Sequence, residues 1–282
     1  MFFYILGDMG SGNNDQLKVA EAMREHIGNK NTFVCGLGDN IYENGCSSCD
    51  DPLFIKQFEE PYKGISDSIP FYMCLGNHDY GYSNKSLDRK NNARSQVLYS
   101  DKSKKWKMPN NYYTFRKKDG DVIVDFFVID TNVDILDINE IKEQLEYMKK
   151  KINESKADWK IVNGHHTWKS IAGHGNAEEN LEGFLTQLFQ EAPFDVYMCG
   201  HDHNKQVIDL TIDGNKVNLI VCGTGGKYYD DSINYDNLDQ ESDLFFCSNN
   251  LGYGVCKAGK NKLIFTFLNE NNEIEYLYNL VK

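Results

Sequence analysis

Five short polar clusters recur along the chain, each at the end of an apolar run: Gly7-Asp8, Gly38-Asp39-Asn40-Ile41-Tyr42, Gly76-Asn77-His78-Asp79, Gly164-His165-His166 and Gly200-His201-Asp202-His203. Loops at the carboxyl ends of strands converge on one crevice in α/β sheets, so the five are expected to meet. What would converge is Asp8, Asp39, Tyr42, Asn77, His165, His201 and His203. This mixed oxygen and nitrogen set is too large for one metal and suits two hard or borderline cations that share a carboxylate. Asp39 is the natural bridge. Six of the seven histidines, at 78, 165, 166, 174, 201 and 203, fall in these loops or just after them, leaving His26 on a helix surface. Taken singly the clusters are ordinary. A Gly-Asp after a strand is usually a turn or a cap, and His201 and His203 on a continuous strand would be a surface pair. The joint pattern, in order, points to a metal centre.

The runs that end in these clusters read as strands, and the stretches between them carry helical spacing, the alternation of βαβ units. A strand over Phe2–Leu6 precedes a helix with Leu17, Ala20, Met23 and Ile27 on one face, capped at Asn14 or Asp15. Strand Phe33–Leu37, a helix from about Pro52 with Phe54, Phe58 and Tyr62 aligned, and strand Phe71–Leu75 continue the rhythm. From Tyr80 to Asp121 the chain is polar and poorly periodic, and reads as a surface excursion (about 80–121) with a short helix near Ala93–Tyr99. Strand Val122–Ile129, a helix over Asn139–Asn153, strand Trp159–Asn163, a helix over Ala177–Gln190 and strand Phe194–Met198 resume the core. After His203 only strand-like runs follow (Val207–Ile212, Val217–Cys222, Gly252–Lys257, Leu263–Leu268, Glu273–Leu280), with turns such as Asp213-Gly214. This predicts a β-rich C-terminal part packed on the first sheet, within a single domain over 1–282.

The chain has 42 acidic and 30 basic residues among 282, a formal charge of −12, and no Lys/Arg stripe. That disfavours nucleic acid as a partner. With 40% apolar residues and five prolines it is neither disordered nor collagen-like. No apolar window is long enough for a transmembrane segment. The N-terminal apolar run is too short and lacks the basic flank of a signal peptide, so the chain is expected either to be made without one or to have lost a leader. Cys35, Cys74, Cys199, Cys222 and Cys256 lie in strand-like runs and read as buried small hydrophobes. Cys46 and Cys49 form a Cys-Ser-Ser-Cys loop that fits a zinc half-site, a redox pair or a local disulfide. Sequons at Asn84 and Asn153 carry little weight in so Asn-rich a chain.

In order, these motifs resemble the calcineurin-like metallophosphoesterases over almost the whole chain. More narrowly, Gly-Asp-x-Gly (Gly7–Gly10), Gly-Asp-Asn-x-Tyr (Gly38–Tyr42) and Trp-Lys-Ser-Ile-Ala-Gly-His-Gly (Trp168–Gly175) are similar to the signatures of purple acid phosphatases. The resemblance implies an α/β fold, a four-layer αββα sandwich of two mixed β-sheets flanked by helices. It makes Asp8, Asp39, Tyr42 and His203 the ferric-site ligands, and Asp39, Asn77, His165 and His201 the divalent-site ligands. It makes His78 and His174 the non-ligand histidines that contact phosphate and protonate the leaving oxygen. His166 follows a ligand, matches no family role and is read as a residue that supports the ligands from behind or sits at the rim. Alone, Tyr42 would read as aromatic packing. A phenol with an ordinary pKa of about 10 becomes a phenolate ligand at acid pH only beside a very strong Lewis acid, which favours Fe(III) over Zn or Mn there.

The implied cofactors are Fe(III) and a second divalent metal, Fe, Zn or Mn. The implied reaction is in-line attack on a phosphomonoester by hydroxide held on the two metals, without a phosphoenzyme. The ligated centre would keep roughly one positive charge, enough to attract phosphate to an acidic protein. Implied partners are small phosphorylated substrates, including phosphopeptides and nucleotides. The implied setting is secretory, vacuolar or lysosomal, or extracellular, and the chain is expected to be a monomer. Between Asp130 and the helix near Asn139 the chain is short where mammalian tartrate-resistant enzymes carry a longer repressive loop, so proteolytic activation there is not expected. The 80–121 excursion and the Gly223–Lys227 loop are expected to shape the pocket. Two rivals stand beside this reading. A Mn- or Zn-dependent nucleotidase or phosphodiesterase on the same fold would have no use for Tyr42 or the Trp168–Gly175 segment. A non-catalytic scaffold like the membrane anchor of the apicomplexan glideosome, which resembles purple acid phosphatases, would lack ligand motifs, whereas here all seven ligand positions are filled.

Overall fold

The computed structural model describes residues 1–282 except 29, 82–87 and 229–232; the sequon at Asn84 lies outside the described residues. Alternation sets the first strand. In β1 (Phe2–Leu6) Phe3 and Ile5 face one core and Tyr4 and Leu6 another, the two-residue period of a strand buried on both sides. Helix α1 (Asn14–Ile27) follows, and its cap is Asn13, one residue before the expected pair, whose side chain accepts from the Asp15 and Gln16 N–H groups. Strands β2 (Val34–Gly36) and β3 (Phe71–Met73) continue in parallel. The helix expected from Pro52 is a single π-helical turn, Ile55–Glu59. Pro61, with no N–H to donate, stops it, yet Phe54, Phe58 and Tyr62 are buried together as their spacing requires.

The segment read as a surface excursion carries α2 (Arg89–Tyr99), the two-residue β4 (Trp106–Lys107) and β5 (Tyr113–Asp119). β4 and β5 are edge strands, one in each sheet. Phe115 of β5 stacks on Tyr72 and on Phe126 at 3.9 and 4.6 Å between ring centroids, while Arg116 forks onto Asp125 at 2.6 and 2.7 Å. One apolar and one charged face is what an edge strand needs, and that composition hid it. Then come β6 (Val122–Val128), α3 (Ile138–Glu154) with an Asp137/Glu140 capping box, β7 (Trp159–Asn163), α4 (Glu179–Glu191) and β8 (Val196–Cys199). The chain ends in β9 (Lys205–Ile212), β10 (Asn215–Cys222), β11 (Ser242–Ser248), β12 (Gly252–Ala258), β13 (Lys262–Asn269) and β14 (Ile274–Val281).

The described residues form two mixed seven-stranded sheets, ordered β14-β13-β12-β1-β2-β3-β4 and β11-β9-β10-β8-β7-β6-β5. Their facing sides share one core that includes Phe3, Ile5, Phe126, Trp159, Ile161 and Phe265. The outer face of the first packs on α1 and α2, and that of the second on α3 and α4. This is the four-layer αββα sandwich. Part of the C-terminal stretch packs on the first sheet as expected, since Val207 of β9 and Ile220 and Cys222 of β10 share the inter-sheet core with Phe3 and Ile5. β12 pairs edge to edge with β1 and extends that sheet, while β9 to β11 extend the second. His26, expected on the surface, is half-buried, with Nδ1 2.8 Å from the Tyr4 hydroxyl. All eight cysteines are free thiols; the five expected in strands are buried, and so is Cys46. Among the described residues no helix is long and apolar enough to cross a membrane.

Candidate metal centre

The five clusters follow β1, β2, β3, β7 and β8, all parallel strands, so their loops open at one end of the sandwich. Backbone bonds stitch them together: Asp8 N to Gly38 O at 3.0 Å, Gly10 N to Asp39 O at 3.1 Å and Gly200 N to His165 O at 3.1 Å. Close approach is strict at Gly76, where a Cβ would sit 2.1 Å from Asp39 Oδ1. Asp8, Asp39 and His201 have φ of 56°, 51° and 69°. Left-handed backbone at non-glycine positions costs about 1–3 kcal/mol each and persists only where surrounding contacts enforce it.

The structure brings together all nine residues singled out in the sequence. Tyr42 Oη lies 3.0 Å from Asp8 Oδ1 and 3.2 Å from His203 Nε2, and His203 Nε2 lies 3.4 Å from Asp8 Oδ1. His165 Nε2 lies 3.0 Å from Asn77 Oδ1, 3.2 Å from His201 Nδ1 and 3.4 Å from Asp39 Oδ1. Asp8, Asp39 and His165, all buried, offer ligand atoms within 4.8 Å of one another and join the two groups. His78 donates its backbone N–H to Asp39 Oδ1 at 2.9 Å and packs its ring on Tyr42 at 4.4 Å. His174 stacks on His201 at 4.1 Å. His201 and His203 occupy a turn after β8, not a strand.

These groups fit cations. His165 Nδ1 lies 2.8 Å from the Leu37 carbonyl, which can only accept, so Nδ1 carries the proton and Nε2 presents a lone pair. That lone pair faces the Asn77 amide oxygen and the Asp39 carboxylate, two further acceptors, with His201 Nδ1 beside them, a grouping that a cation satisfies. Electrostatics agree. Burial disfavours charge on His165, yet the Asp39 and Asp8 carboxylates outweigh it and hold the imidazole above its usual value. Burial, reinforced by His166, His165, His174 and His203, pushes His201 far below the ordinary range. Burial would raise Asp39, but His165 and His78 bring it below the usual carboxylate value. Burial and then the Asp39 and Asp8 charges drive the Tyr42 phenol well above its usual value.

Three supporting residues, Asp79, Asp202 and Thr131, were missed in the sequence, and a fourth, Lys227, lies in a loop expected to shape the pocket. Asp79 is wholly buried; Oδ1 accepts from Asn40 N, Ile41 N and Gln96 Nε2 at 2.9, 3.0 and 2.6 Å, and Oδ2 from Gly76 N and Asn40 Nδ2 at 2.8 and 3.0 Å. It ties the loops after β2 and β3. Asp202 accepts from the His174 backbone N–H at 2.8 Å and from Ser170 Oγ, pinning the Trp168–Gly175 loop. Lys227 sets Nζ 3.7 Å above the Tyr42 ring and 3.0 Å from Glu43, as expected of the Gly223–Lys227 loop. Thr131, after β6, bonds the His165-His166 pair. Asp79 and Asp202 stood inside the motifs beside ligands, which was their signal; Thr131 had none.

The model of the calcineurin-like phosphoesterases matches residues 1–205, and the chain belongs to that family. It is 33% identical to purple acid phosphatase 3 of Arabidopsis thaliana over 80% of this chain and 63% of that protein, and so spans under two thirds of that relative. It is 31% identical to purple acid phosphatase 4 of the same plant over 94% of this chain and 79% of that protein. Its branch within the family is that of the purple acid phosphatases. Among solved structures it shares its fold with GAP50, the anchor in the inner membrane complex of Plasmodium, at a TM-score of 0.82 and 23% identity, covering 100% of this chain and 89% of that one.

Proposed function

We propose that the protein is an acid phosphatase that hydrolyses phosphomonoesters at an Fe(III)–M(II) centre, M being Fe, Zn or Mn. One observation carries this reading: the Tyr42 phenol is buried with its oxygen against Asp8 and His203, in surroundings that resist its ionisation. Only a strongly Lewis-acidic cation makes that oxygen a ligand. Asp8, Asp39, Tyr42 and His203 would hold the ferric ion, and Asp39, Asn77, His165 and His201 the divalent one. Bound cations of this kind supply the Lewis acidity that activates water below neutral pH and offset charge on phosphoryl oxygens.

The chain's own residues do the rest. His78 Nδ1 lies 2.7 Å from the Glu43 carbonyl and is committed as a donor. The proton it can give to a departing alkoxide is therefore the one on Nε2, present when the ring is charged. His174, anchored by its backbone to Asp202 and stacked on His201, stands over the other half of the cluster as a second phosphate-contacting imidazole. We read residues 1–282 as one catalytic domain, because β12 to β14 complete the sheet that β1 begins. Substrates would be small phosphorylated monoesters, nucleotides and phosphopeptides, with nucleic acid disfavoured by the charge of −12. The filled donor set favours catalysis over a scaffold role, and Tyr42 favours iron over a Mn- or Zn-dependent nucleotidase or diesterase.

The test is hydrolysis of p-nitrophenyl phosphate against bis(p-nitrophenyl) phosphate at mildly acidic pH, for the wild type and for Asn77→Ala and His165→Ala. The monoester should be preferred, and each variant should lose at least about 100-fold in kcat/KM while remaining folded. Substantial activity in either variant rules out the ligand assignment, and a preference for the diester rules out the monoesterase.

A further inference from the structure

His165 and His166 are adjacent in sequence, and hydrogen bonds hold them in opposite tautomers. The Thr131 hydroxyl is the reason. Thr131 Oγ1 accepts the backbone N–H groups of His165 and His166 at 3.3 and 3.1 Å, which uses both of its lone pairs. Its proton is then free for one acceptor, and His166 Nδ1 lies 2.8 Å away. Nδ1 of His166 is thus an acceptor, and the ring's own proton sits on Nε2. Protonating Nδ1 as well would set two donors face to face. His165 is the reverse, with Nδ1–H on Leu37 O and a lone pair at Nε2.

The arrangement is built, not incidental. The Tyr197 hydroxyl donates to the His166 carbonyl at 2.7 Å and fixes the backbone. Gly164 permits the approach, since a Cβ there would lie 2.5 Å from Tyr197 Oη and 2.7 Å from Thr131 Cγ2. The His166 ring is half-buried, with its centroid 4.5 Å from that of His201 and 5.0 Å from that of His165. Nε2 has no hydrogen-bond partner among the described residues, and it is not a buried atom. A ring whose free nitrogen carries a proton cannot be a metal ligand.

We propose that His166 is a further substrate-contacting residue, a neutral donor whose Nε2–H bonds a phosphoryl oxygen, with Thr131 as the residue that sets its tautomer. The inference rests on the phosphatase reading above. No proton is transferred: the imidazole keeps Nε2–H throughout, and the hydrogen bond positions the phosphoryl group beside His201.

The experiment measures equilibrium dialysis of radiolabelled inorganic phosphate with the purified metal-loaded protein, metal content on the same samples, and kcat and KM separately. His166→Phe keeps the ring and removes the donor; it should weaken phosphate binding about 10- to 100-fold, as expected for one hydrogen bond to a charged group, with metal content unchanged. His166→Gln places an amide N–H near the same point and should recover most of the affinity. Thr131→Val should weaken phosphate binding at unchanged metal content and Thr131→Ser should restore it, whereas a merely structural role for the hydroxyl, which also receives the His165 N–H, would lower metal content in Thr131→Val. Phosphate binding by His166→Phe within twofold of wild type overturns the inference and leaves the phosphatase reading standing. Loss of one metal per chain in that variant overturns it in favour of a ligand role. A wild-type protein that neither binds phosphate nor hydrolyses monoesters overturns both.

Discussion

Replacing Asp79 with asparagine changes one oxygen to an NH2 group and alters no contact with the cleft. The wholly buried carboxylate satisfies five donors from the loops after β2 and β3 and from α2. If the new amide nitrogen takes the place of Oδ2, the Gly76 N–H and Asn40 Nδ2 lose their acceptor and face another donor. If it replaces Oδ1, the Ile41 N–H and Gln96 Nε2 are orphaned, while Asn40 N can turn to the oxygen 3.2 Å away. Either way at least two buried donors are left unsatisfied, at about 1–3 kcal/mol each, which makes roughly 2–6 kcal/mol in all. For a chain of this size that is a drop in melting temperature of roughly 5–20 °C. Thermal unfolding of the metal-loaded Asp79→Asn protein, followed by circular dichroism, should fall in that range. The loops that carry Asp39, Tyr42 and Asn77 should also hold metal less completely. A variant that melts within about one degree of wild type, fully metal-loaded, would refute the reasoning.

Two further predictions concern charge. In metal-free protein burial and the neighbouring Asp39 carboxylate, its charge offset by no cation, outweigh the donors that favour the ionised form and push Asp79 up to about 7, above the ordinary carboxylate value of about 4. Below about pH 4 the folded and unfolded chains both hold this proton, and between about 4 and 7 only the folded chain does, so stability falls as pH rises through that window. In metal-free protein Asp79→Asn should flatten this slope in urea midpoints taken across the window; an unchanged slope contradicts the assignment. The Lys227 ammonium above the Tyr42 ring stabilises electrons on the phenol oxygen. Lys227→Met should move a phenolate-to-iron absorption band to longer wavelength at unchanged metal content, and a band that stays in place would show that Glu43 already cancels the cation.

The strands that position the site were legible because each carries a dense signal. Phe3 and Ile5 against Tyr4 and Leu6 mark a strand covered on both sides, and the clusters at 7–8, 38–42, 76–79, 164–166 and 200–203 mark where five strands end. Edge strands were harder. Tyr113–Asp119 holds Arg116, Lys117 and Lys118, and Ser242–Ser248 alternates poorly, because one side of an edge meets solvent. The placement of β12 to β14 depends on which edge was open once β1 and β2 had paired, a tertiary fact that no local pattern encodes. The same holds within the site. Residue type and order point to Asp39 or His165 as candidate ligands, whereas Thr131 matters only because β6 lies beside β7.

The central claim is that Tyr42 binds iron, and a visible absorption spectrum of freshly purified protein, with elemental analysis of the same sample, tests it most directly. The account predicts a broad band near the middle of the visible range with at least about one iron per chain, as a phenolate on Fe(III) requires. A colourless protein that carries two zinc or manganese ions per chain would contradict it and leave a phosphoesterase of another metal chemistry.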